Sequence, residues 1–154
     1  MIPVTASDLG IELSNTSNHG LYKWLLASFL IGKRIRSTVA VETYRSLVDR
    51  HGLDTPARLA RCSHQQLVVW LGQAGYARYD QSTARRLHAL GTGLSSDLDA
   101  QLSSLRQGLI DLPTFQRWLL SFEGIGIKTL EIFMREAAAL LDNERLKGLL
   151  EGHD

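Results

Sequence analysis

Apolar positions recur along most of this chain at helical spacing. Leu21, Trp24, Leu25, Ala27, Ser28 and Ile31 share one face and Gly32 ends the run, which predicts a largely buried helix starting near Gly20. Val39, Ala40, Thr43, Leu47 and Val48 mark a second helix, opened by Ser37 or Thr38 and closed at His51-Gly52. Thr55-Pro56 pairs a capping residue with a first-turn proline, so a short helix is expected through Leu59 to Arg61. Ser63 caps the next, which ends near Gly72 to Gly75. Asp80 or Ser82 opens another through Leu87 and Leu90 to Gly91, and Ser95 to Leu105 reads as a separate helix ending before Gly108. Phe115, Trp118, Leu119 and Phe122 form the apolar face of a further helix, and the pattern resumes from Lys128 to Leu141. No stretch alternates apolar and polar residues as a half-buried strand does, so an all-α domain of short helices is expected. Residues 1–19 mix Pro, Gly, Ser, Thr and Asn around isolated apolar positions, which predicts a flexible or loosely packed arm before a single helical domain over 20–154.

Composition narrows the class. The chain has 154 residues, 44% of them hydrophobic and only 3 proline, which suits one domain with a buried core and not a disordered chain. Its one cysteine, Cys62, cannot close an internal disulfide or supply the thiolates of a structural zinc site or an iron–sulfur cluster. The first residues carry neither a basic stretch nor an apolar run, and nowhere do about 18 apolar residues follow one another, so an intracellular, cytoplasmic protein with no membrane partner is expected. The formal net charge is +1, but it is unevenly spread. Residues 20–90 hold 11 Lys/Arg against 4 Asp/Glu, a net of +7, while residues 91–154 carry −4 and residues 1–19 carry −2. Such segregation suits either an ordinary solvated helical surface or a polyanion-binding face.

The chemistry-bearing segment is Glu123-Gly124-Ile125-Gly126-Ile127, a five-residue interruption between two helical patterns, followed by Lys128-Thr129. Glycines at 124 and 126 open backbone angles closed to other residues, and the isoleucines between and after them anchor the turn. The helix that follows begins with unpaired N–H groups and the positive end of its dipole, a ready site for phosphate. A P-loop is excluded, because that motif needs Gly directly before the Lys and Ile127 stands there.

Leu119 to Thr129 resembles the helix-hairpin-helix motif, in the form found in endonuclease III-like DNA glycosylases of base-excision repair. The resemblance extends more loosely over residues 20–141. It implies a compact orthogonal bundle of short helices containing the hairpin over 119–134, and double-stranded DNA as the partner. It further implies phosphate contacts at Gly124, Ile125, Gly126, Lys128 and Thr129, with a monovalent cation at the hairpin. Lys128 occupies the position of the nucleophile of the bifunctional glycosylase/AP lyases. There an amine attacks C1′ of the deoxyribose, which needs a lowered pKa of the kind that desolvation and a helix N-terminus can supply. Lys33, Arg34 and Arg36 follow the early buried helix, where the family probes the duplex beside the flipped nucleotide; phosphate contact is the other reading of these three. Tyr76 either stacks on a base or packs in the core, packing being preferred.

The family places an essential aspartate after the lysine, usually following valine. Glu131, Glu136, Asp142, Glu144, Glu151 and Asp154 follow Lys128 here, and none has that context. Asp142 is the catalytic candidate, with a helix cap the preferred reading. Without the aspartate, a non-catalytic helix-hairpin-helix DNA-binding protein is the alternative, and a helical interaction domain a third. The five histidines show no ligand spacing, and Trp24, Trp70 and Trp118 read as core. The amphipathic segment from Glu144 to Leu150 packs on its own core or on a second copy.

Overall fold

The computed structural model describes residues 3–14, 17–76 and 79–151, with side chains described through residue 141. Among the described residues the chain is all-helical: α1 His19–Ile31, α2 Ser37–Tyr44, α3 Pro56–Arg61, α4 His64–Ala74, α5 Asp80–Arg106, α6 Leu112–Leu120 and α7 Ile127–Glu151. The local signals act where the sequence places them. The Thr55 hydroxyl accepts the Arg58 N–H at 3.2 Å and the Ser63 hydroxyl that of Gln66 at 3.1 Å; the structure adds a cap at Asp111, whose carboxylate accepts the Thr114 N–H at 2.9 Å. Gly75, at φ +106°, closes α4.

Three expectations differ from the structure. The glycines at 91 and 93 do not end a helix; α5 runs through both without a break. They are there for packing. A Cβ on Gly91 would stand 2.9 Å from the Ala60 nitrogen and from Leu59 Cγ, so its absence lets α3 press against α5, and Gly93 makes room for the Phe122 ring in the same way. Residues 3–14 do not form a loose arm. Ala6, Leu9 and Ile11 are buried in the core around a 3₁₀ turn, Ser7–Leu9, and the Ala6 N–H donates to the Glu136 carboxylate at 2.6 Å. Finally, α7 continues as helix past residue 142, so Asp142 is at no helix end and cannot act as a cap; its side chain lies outside the described residues.

The long α5 is the element the others gather around, touching α3, α4, α6 and α7, while α1 packs between α2 and α7. α1 is buried on nearly every side from Leu21 to Leu30, as its continuous apolar run requires. Polar tips of buried aromatics join distant segments. Trp24 Nε1–H donates to the Phe133 carbonyl at 3.0 Å, Tyr22 Oη–H to Leu53 at 2.9 Å, and Tyr76 Oη–H to Leu30 at 2.9 Å. Tyr76 is therefore a core residue. Burial pushes the Tyr22, Tyr44 and Tyr76 hydroxyls well above the usual tyrosine value, which keeps all three protonated.

Not every helical glycine is needed by its neighbours. Gly72 lies inside α4, and the nearest foreign atom to a Cβ there would be Asp80 Oδ2 at 3.8 Å, ordinary contact. Gly72→Ala is expected to raise stability by about 0.5–1 kcal/mol through backbone entropy. Urea unfolding checks it; a lower midpoint would mean that α4 has no room for a methyl group on this face.

Candidate nucleic-acid interface

Residues 121–126 join α6 to α7 in a tight turn. The Ile125 N–H donates to the Phe122 carbonyl at 3.1 Å, and Ile125 itself is buried, so the turn is pinned from inside. Gly124 has φ +95°, in the region that side chains avoid, and the place of its missing Cβ is filled by the Phe29 ring. Gly126 differs: nothing lies within 4 Å of where its Cβ would stand. Its carbonyl accepts the Leu130 N–H at 3.0 Å and starts α7. The first N–H groups of that helix have no intrahelical partner, and Ile127, 65% exposed, faces solvent among them.

Lys33 belongs to the support of this turn. Its ammonium donates to the Gly124 carbonyl and sits 4.2 Å from the centroid of the Phe29 ring. Half-buried, its amine is held below the usual lysine value by desolvation first and by the Arg86 charge second. Glu123 lies on the outer side of the turn. Arg85 grips its carboxylate with two bonds of 2.8 and 3.1 Å, and Arg86 Nε adds a third at 3.3 Å. The Arg85 hydrogen bond, with the Arg86 contacts behind it, holds that exposed carboxyl below the usual glutamate range.

The sequence-predicted residues thus divide. Gly124 and Ile125 form the turn, and Lys33 braces it. Thr129 is buried, with its Oγ1 against Gly32, so it packs α7 onto the end of α1. Arg34 and Arg36 are exposed; Arg34 lines a cavity of about 250 Å³ with Lys33, Tyr79, Ser82 and Arg86. Lys128 is exposed and opens on a different hollow of about 180 Å³, beside Val4, Ile31, Ser37 and Arg135. Glu131 is exposed, and the Glu136 carboxylate is taken by the Ala6 N–H. Among the described residues no group of His, Cys, Asp and Glu is placed to hold a metal ion, and no helix is long and apolar enough to cross a membrane.

The pairing of Arg85 and Arg86 with Glu123 did not stand out in the sequence. The partners are 37 and 38 residues apart, beyond the reach of any helical spacing rule. No family model, curated protein or solved structure matches this chain.

Proposed function

We propose that this chain binds double-stranded DNA through the α6–α7 turn and acts there as a base-excision glycosylase/AP lyase on damaged or abasic sites. The observation that carries the reading is the exposed Lys128 in the first turn of α7, next to the open backbone at Gly126. Apart from its chain neighbours nothing crowds the Gly126 backbone, so a phosphate can approach it, and the helix dipole favours its charge. Lys33 and Phe29 support the turn from behind and the exposed Arg85–Glu123 pair holds its outer side, so that it meets the backbone in one conformation. The exposed Arg34 and Arg36 extend the cationic surface.

In this mechanism the target nucleotide leaves the base stack. The Lys128 amine adds to C1′ of the ring-opened abasic sugar, water departs, and a C1′–N iminium results. Loss of the C2′ proton to solvent water then sends the electron pair toward C3′, and the C3′–O bond breaks with the 3′ phosphate leaving as an anion. Hydrolysis of the imine frees the lysine.

One observation favours the simpler reading of DNA binding without chemistry. Among the described residues the hollow around Lys128 is lined by Arg135 and by no carboxylate. Borohydride trapping on duplex with an abasic site separates the two. The expected result is a covalent adduct, absent in Lys128→Ala, whose remaining binding loses about one unit of log–log salt slope. Salt-sensitive binding without adduct leaves the non-catalytic reading; no binding at low salt removes both.

A further inference from the structure

A second hollow, of about 680 Å³, opens where the 51–53 segment meets α3 and α4, and none of its lining residues belongs to the α6–α7 turn. α2 does not end in an ordinary helical turn. It passes into a π-turn over Arg45–Arg50, with the His51 N–H donating to the Ser46 carbonyl five residues back, and Gly52 at φ +72° then reverses the chain. π-turns are rare and concentrate at functional sites. This one delivers His51 flat onto Trp70 of α4: the ring centroids are 3.8 Å apart and the planes differ by 6°. Neither ring is fully buried, and both line the cleft. Trp70 is half-buried against the core, as expected, and its open side forms a wall of the cleft.

The rim opposite is cationic. Arg58 is held to Asp54 at 2.7 Å, and the exposed Arg61 spends only its Nε, on the Ala57 carbonyl at 3.3 Å. Among the described residues the terminal nitrogens of Arg61 have no partner, so a planar two-point donor is left for an anion. Ser63 and Gln66 add neutral polar groups. A flat aromatic wall beside an available guanidinium, on a shallow and open hollow of the surface, suits a ring joined to a phosphate.

We infer that this cleft binds a nucleoside monophosphate unit, its base against the exposed side of the His51–Trp70 pair and its phosphate on Arg61. The unit is either a free nucleotide or the last residue of a single strand. Cys62, the one cysteine of the chain, lines the same cleft and serves as its reporter. Burial pushes its thiol up, so labelling by a disulfide reagent is followed at mildly alkaline pH.

With the full chain, millimolar AMP and short oligo-dA are each tested for slowing the labelling of Cys62, with adenosine and inorganic phosphate as controls. Protection by AMP assigns the site to free nucleotide, and protection by the oligonucleotide alone assigns it to a strand end; either supports the inference. Arg61→Gln, with protection measured against its own ligand-free labelling rate, is expected to weaken protection about tenfold, the size of one lost charge-assisted contact. Lys128→Ala is expected to protect as the native chain does, so the two sites stand or fall separately. Absence of protection by both ligands overturns the inference, as does equal protection by phosphate alone or equal protection in Arg61→Gln.

Discussion

Trp24→Ala is expected to destabilise the fold by about 3–5 kcal/mol, the range for removing a buried large aromatic. Trp24 is fully buried on α1, and its indole N–H reaches the Phe133 carbonyl on α7. Truncation empties a space that the helices on both sides cannot collapse into, and it removes the one polar link described between the middle of α1 and α7. Trp24→Phe keeps most of the ring and loses the donor, so about 1–2 kcal/mol is expected. Urea unfolding followed at constant slope measures both. A loss below about 1 kcal/mol for the alanine variant would mean that α7 is placed by its other contacts, α5 and α6 first. The functional consequence follows from the same geometry, since α7 begins at the turn that carries Lys128.

Gly124→Ala is expected to cost about 2–4 kcal/mol, from left-handed backbone strain together with overpacking. At φ +95° the new Cβ would stand 2.6 Å from Phe29 Cε2 and 3.2 Å from Arg86 Cδ. Phe29 is fully buried and has nowhere to swing, so the turn must move, taking the carbonyl that Lys33 grips with it. Gly126→Ala is the contrasting variant. Its Cβ meets nothing, and a capping-position change of this kind costs less than about 1 kcal/mol. Under the proposed function its added methyl stands in the path of the phosphate, so duplex binding should fall while the unfolding midpoint holds. Gel-shift titration beside chemical unfolding tests both. Normal duplex binding by Gly126→Ala would remove this backbone from the interface, and native stability in Gly124→Ala would refute the packing account.

The success of the sequence reading follows the range of the interactions involved. Thr55, Ser63 and Gly75 act on backbone groups within a few residues, so their effects were legible from spacing alone. Gly91 carried the same local signal as Gly75 and meant the opposite. A glycine weakens a helix only slightly, by about 1 kcal/mol, and α3 packing into the gap outweighs that preference. The polar composition of residues 3–14 similarly hid three buried apolar side chains and the partner of Glu136, 130 positions away. At the candidate site, Gly124, Ile125, Gly126 and Lys128 were visible as a motif. The role of Lys33 was not, because its partner is 91 residues distant and is a backbone carbonyl with no side-chain signature.

The sequence by itself therefore determined that this protein is all-α, where most of its helices begin and end, and that one glycine-rich turn presents a lysine at a helix start. Those properties depend on periodicity and on capping within a turn or two of chain. Only the tertiary structure decided that α5 is one helix, that Lys33 braces the turn while Lys128 faces solvent, and that His51 lies on Trp70 beside Arg61. Each of these depends on close packing between segments far apart in the chain, where the shape of one element selects the conformation of another and no local pattern records the match.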